Sequence, residues 1–164
     1  MAKLKINSTY NLGNGVSYTI SAAHRRKSSK KSRWTISTNE EFACFSNSIT
    51  NTWKQNFSAW GLHIVNSTPD ILGKGVNKED LKVAKFVDGS KNNIWHGYPA
   101  NILANKQDIP PTSILLLWEK LNYINKSDIR KINQQSKHSD KYIFYTLRFD
   151  CSFAAANTIK PQLL

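Results

Sequence analysis

The chain has 164 residues, 40% of them hydrophobic, 11% aromatic and 21% charged, with a formal net charge of +12 at pH 7. That length and aromatic content support one packed domain without disulfides or metal, and exclude a chain disordered throughout. The longest apolar run, residues 114–118, is far short of the roughly 18 residues a membrane span needs, and the first residues lack the apolar core of a secretory signal, so a cytoplasmic protein with no membrane contact is expected.

In chain order, residues 3–10 alternate, with Leu4 and Ile6 on one face, and Asn14-Gly15 suits a turn with positive φ. Residues 16–22 alternate again, and residues 33–37 form a third candidate strand with Trp34 and Ile36 on one face. Together they predict an antiparallel meander. Its second connection is the most charged part of the chain. Residues 1–39 carry eight basic side chains and no acid, and six of the eight (Arg25, Arg26, Lys27, Lys30, Lys31 and Arg33) lie within nine residues. Such a short, polar, self-repelling stretch reads as an exposed loop. It is the electrostatic footprint of a protein that touches phosphates. Codon bias in an AT-rich genome accounts for eighteen lysines against five arginines, but not for three arginines within this loop. A merely solvated loop, or one facing an acidic protein, is the competing reading. His24, at its edge, could be catalytic, but a histidine in a basic loop is more often just solvated.

A capping signal at Thr38-Asn39-Glu40-Glu41 opens a helix. Phe42, Phe45, Ile49, Trp53, Phe57 and Trp60 then recur every three or four residues, predicting one long helix that packs an aromatic stripe on the sheet and stops at Gly61. Residues 62–65 read as a short strand and 66–75 as a loop. Residues 77–87 fit either a helix from Lys78 to Phe86 or a strand in which Leu81, Val83, Lys85 and Val87 alternate, with a turn at Asp88-Gly89 in both cases.

Residues 92–101 hold the best small-site candidate. Gly97 and Pro99 predict a sharp bend, and an aromatic residue before proline raises the chance of a cis peptide. Trp95 and Tyr98 offer stacking faces, and His96 an imidazole that titrates near neutrality. This combination suits a base pocket, or a general acid/base for RNA cleavage with a nearby lysine or arginine stabilising the phosphorane. The structural alternative has Trp95 and Tyr98 plugging the core and His96 bonded to backbone.

Two helices follow. One starts at Thr112 or Ser113 and bears Ile114, Leu117, Trp118 and Leu121; the other runs over residues 126–133, capped by Asn125 and bearing Ile129 and Ile132. The pair resembles a helix-turn-helix, whose second helix would present Lys126, Ser127, Arg130 and Lys131 to DNA. Trp118 stands where such motifs need a small residue, and Asn122 replaces the customary turn glycine. A generic helical hairpin is the alternative. Residues 134–140 read as a polar linker, 141–149 as a strand and 158–164 as a tail.

The expected architecture is α+β over residues 1–157: an N-terminal antiparallel meander packed on an amphipathic helix, then a helical hairpin and a C-terminal strand. The four histidines (24, 63, 96 and 138) have no metal-ligand spacing among themselves or with Cys44 and Cys151, which read as buried free thiols. Phosphate-loop, dinucleotide and nucleophile-elbow motifs are absent, and no cofactor is expected. Glu40/Glu41 and Glu79/Asp80 read as first-turn helix acids. The favoured expectation is a small nucleic-acid-associated protein that holds the phosphate backbone with its basic loop and with Lys126, Arg130 and Lys131. DNA and RNA are not discriminated. A metal-independent ribonuclease or toxin using His96, and an inhibitor-like module docking an acidic protein partner, are the alternatives.

Overall fold

The computed structural model describes residues 2–137, with side chains through Gln134. The strands are β1 (Thr9–Gly13), β2 (Val16–Thr19), β3 (Arg33–Trp34), β4 (Lys54–Gln55), β5 (Ser58–Val65), β6 (Thr68–Asp70), β7 (Gly73–Lys74), β8 (Asp80–Leu81), β9 (Val83–Val87) and β10 (Ile94–Ala100). The helices are α1 (Thr38–Thr50), α2 (Thr112–Lys120) and α3 (Lys126–Lys137). The fold is mixed α+β. Its main sheet runs β1-β2-β10-β9-β5-β4, with β6 paired to the end of β5; every pairing is antiparallel except β2 with β10.

The first hairpin forms as expected, with Asn14 and Gly15 at φ 52° and 75°. The third segment does not extend it. Only Arg33 and Trp34 are strand, and they pair with β7 in a separate sheet, β3-β7-β8. The neighbour of β2 is instead β10, brought from far along the chain.

The long aromatic helix is the main correction. Ser37 caps α1 through a reciprocal box with Glu40, but the helix ends at Thr50. Asn51 and Thr52 hold helix poorly, and Thr52 turns into positive φ at 57°. Trp53 and Trp60 then face each other across the β4–β5 hairpin, where Trp60 N–H donates to the Trp53 carbonyl at 2.9 Å. Phe57 lies beside the turn at Asn56, whose φ is 52°. Gly61 ends nothing: it sits inside β5, where a Cβ would lie 2.9 Å from the Cys44 carbonyl oxygen, so its absence lets α1 press on the strand.

Residues 66–75 hold β6 and β7 rather than a plain loop, and the ambiguous stretch resolves as β8 and β9. Lys78 at φ 67° is incompatible with the helical alternative. Glu79 and Asp80 are therefore not helix acids: Glu79 accepts from the Asn101 amide at 2.7 Å and Asp80 pairs with Lys74. The bend expected at Gly97 and Pro99 is also absent, because β10 runs through both, and no described peptide bond is cis. Pro99 stands beyond the β2 pairing, where the strand has a sheet neighbour on one side only and tolerates a missing N–H.

Two cores form, one on each face of the sheet. Tyr18, Phe45, Phe86 and Trp95 lead the core shared with α1. Trp60, Leu62, Val83 and Ala100 meet Trp118 of α2 and Ile129 and Ile132 of α3 on the other face. The helical hairpin is present, but α2 buries Ile114, Leu115 and Trp118, while Leu117 and Leu121 are exposed. Helix α3 runs past Asn133 into the expected linker, and Asn125 caps it reciprocally with Asp128 at 3.0 Å. Cys44 is buried, and burial pushes its thiol up to about 12, which makes it unreactive. The strand expected at 141–149, the tail, His138 and Cys151 lie outside the described residues. Among the described residues no helix is long and apolar enough to cross a membrane.

Candidate nucleic-acid interface

Beyond β2, Ser21 caps a short 3-10 turn over Ala22–His24, and the chain enters the basic loop. His24 Nδ1–H donates to the Ser32 carbonyl at 2.9 Å, tying the two ends of the loop together. A carbonyl only accepts, so this bond fixes the ring's proton on Nδ1 when the imidazole is neutral.

Arg25 turns inward. Its guanidinium pairs with Glu41 of α1 and donates to the carbonyls of Ile36 and Ser37. Glu41 is fully buried and also accepts from the Tyr18 hydroxyl at 2.7 Å. Burial holds the Glu41 carboxyl above its ordinary range, while Arg25 and the hydrogen bonds pull the other way. The expectation that Arg25 contacts phosphate is thereby corrected: it anchors the loop. Arg26, Lys27, Lys30, Lys31 and Arg33 are exposed.

On β10, alternation sends Ile94, His96 and Tyr98 to one face and Trp95 to the other. Trp95 is buried against Phe45, with ring centroids 5.9 Å apart, so it is core and not a stacking platform. Tyr98 is half-buried and donates its hydroxyl to Asp108 at 2.8 Å; burial and that carboxylate push the phenol up. Its ring carries the His24 imidazole, stacked at 5.4 Å and 24°. His96 is exposed, and no hydrogen bond among the described residues engages its ring. Lys85, on the same sheet face, is occupied by the Gln107 carbonyl and lies 3.9 Å from Asp108.

The basic loop and the β10 segment, read separately in the sequence, thus meet through His24 and Tyr98. Beside His96 opens a cleft of about 320 Å³ lined further by Thr19, Ser21, Ser90, Asn92, Ile94 and Trp95, with no acid among them. His24 is held below the ordinary imidazole value, chiefly by burial and further by the positive charges of Lys31 and His96; the Ser32 bond opposes this. His24, which the sequence left between a catalytic and a merely solvated reading, is half-buried and held in place by the Ser32 carbonyl and the Tyr98 ring. The signal in the sequence was its place beside the arginines, between the end of a strand and a run of cations.

Lys126, Ser127, Arg130 and Lys131 are all exposed on α3, in the helical layer that covers the sheet face bearing Tyr98 and His96. Asn122, at φ 59°, does what the customary glycine would do, but Trp118 fills the space between the helices and the sheet. No protein-family model, curated protein or solved structure matches the chain.

Proposed function

We propose that the protein binds nucleic acid through the phosphate backbone, with the basic loop as the primary contact and Lys126, Arg130 and Lys131 of α3 as a second one. The observation that carries this reading is the loop's construction. Five exposed cations stand on a segment whose base is pinned by His24 to Ser32 and by Arg25 to Glu41. The anchoring reduces the ordering cost of bringing like charges to a polyanion. Binding of this kind is backbone-dominated and salt-sensitive.

Titration into labelled duplex DNA and single-stranded RNA at about 50 and 200 mM salt tests it. With about five phosphates engaged, affinity falls roughly 10²–10³-fold between those salts. Replacing Arg26, Lys27, Lys30 and Lys31 together by glutamine flattens that slope and leaves the fold intact, because none of the four is buried. An unchanged slope in this variant overturns the assignment. Binding to neither polymer transfers the loop to an acidic protein partner.

A further inference from the structure

We propose that the surface where the basic loop meets β10, at the edge of the cleft lined by His96, is an RNA-cleaving site in which His24 and His96 act as general base and general acid. The proposal rests on the nucleic-acid reading and names its substrate class. Tyr98 and His96 leave the same face of β10 two positions apart, about 6.5–7 Å along the strand, and the His24 ring lies on Tyr98. The two imidazoles are therefore neighbours on one surface. With its Nδ1–H committed to Ser32, His24 presents the lone pair of Nε2 as a base. The ring of His96 is exposed and free to turn toward a leaving group. Lys31, an exposed cation of the same loop directly before the Ser32 carbonyl that holds His24, is suited to the developing charge of a phosphorane. Ser90 and Asn92 of the cleft lining supply polar side chains for an adjoining nucleoside, while the Thr19 and Ser21 hydroxyls are engaged by Thr9 and the Ala23 N–H.

RNA carries its own nucleophile, so two proton transfers suffice. His24 Nε2 takes the proton of the ribose 2′-hydroxyl as the 2′-oxygen bonds to phosphorus. The bond from phosphorus to the 5′-oxygen breaks, and the His96 imidazolium gives that oxygen its proton. The products are a 2′,3′-cyclic phosphate and a 5′-hydroxyl; His24 ends protonated and His96 neutral, and proton exchange with water resets both. Neither step calls for a metal or a redox partner. DNA, lacking the 2′-hydroxyl, binds but is not cut. The titratable or charged groups around His24 are Lys31 of the loop and His96 and Tyr98 of β10.

The experiment incubates the full chain in EDTA with end-labelled single-stranded RNA and its all-deoxy counterpart, reading affinity by anisotropy and cleavage on a denaturing gel. RNA is expected to be cut to cyclic-phosphate ends and the deoxy strand to stay intact. His96→Ala, an exposed position, lowers the rate roughly 10²–10⁴-fold with affinity nearly unchanged. His24→Asn, which retains a donor for the Ser32 carbonyl, does the same and guards against misfolding of the alanine variant. Lys31→Gln moves the acidic limb of the pH–rate profile to higher pH, because it removes a charge that depresses the base. RNA bound but intact overturns the cleavage site and leaves the binding reading standing. RNA neither bound nor cut overturns both, and cleavage that survives His96→Ala overturns the histidine assignment.

Discussion

Arg25 is the residue whose role differs most from its neighbours, although the sequence offers no way to separate it from them. Its partner Glu41 has no access to water, so removing the guanidinium leaves a buried carboxylate with Tyr18 as its remaining hydrogen-bond donor. Arg25→Gln is expected to cost about 3 kcal/mol at neutral pH in denaturant melts, within the range for breaking a buried pair. The sign of its pH dependence follows from Glu41. In the variant the carboxyl is raised further above its unfolded value, so the loss shrinks as pH falls and the group takes up a proton. A penalty independent of pH from 7 to 5 removes Glu41 as its cause. His24 adds a separate slope: its lowered value means the unfolded chain binds the proton first, so stability contributed by the neutral ring is present above about pH 6.5 and falls below it. Chemistry at single positions was thus half legible. The cation cluster and the candidate His96 stood out as residue types. The inward turn of Arg25 and the stacking of His24 depend on contacts that join distant segments.

At the level of elements, caps and turns were readable because their chemistry is local. Glu40 at the start of α1, Asn14-Gly15 in the first hairpin and Asn125 before α3 all act within a few residues of themselves. Periodicity was less faithful. Trp53, Phe57 and Trp60 continue the helical spacing of Phe42, Phe45 and Ile49 but belong to a hairpin, where the same spacing carries residues around a turn. The deciding signal was the run of Asn and Thr near residue 51, weak helix formers that let the chain reverse. Gly61 tests this arrangement. Gly61→Ala forces a methyl group against the α1 backbone and the Phe86 ring, and is expected to cost about 1–3 kcal/mol by thermal or chemical denaturation. Were Gly61 a helix stop on the surface, the substitution would be nearly neutral.

For the whole molecule, the sheet is the shared wall of two cores. β5, β9 and β10 contribute side chains to both, alternately Ala59 and Trp60, Ala84 and Val83, Trp95 and Ala100. Damage on one side is therefore expected to be felt on the other. Trp118→Ala, in the core on the α2 side, should lower stability by about 3–5 kcal/mol. Tryptophan fluorescence and far-UV circular dichroism should still report one coincident transition. Two separated transitions would show that the faces unfold independently. The α+β class was legible from the mixture of patterns. The joining of the first hairpin to β10 was not, since parallel pairing leaves no mark at either strand.

That parallel pairing also sets a schedule for synthesis. The basic loop is translated before the strand that carries His96 and Tyr98, which ends at Ala100. At ~5–20 residues per second, the nascent chain spends roughly 3–13 s with its cations already translated and their counterpart strand still unmade. During that interval the amino-terminal segment is a cationic tether without a cleft, and it acquires one only when β10 slides between β2 and β9.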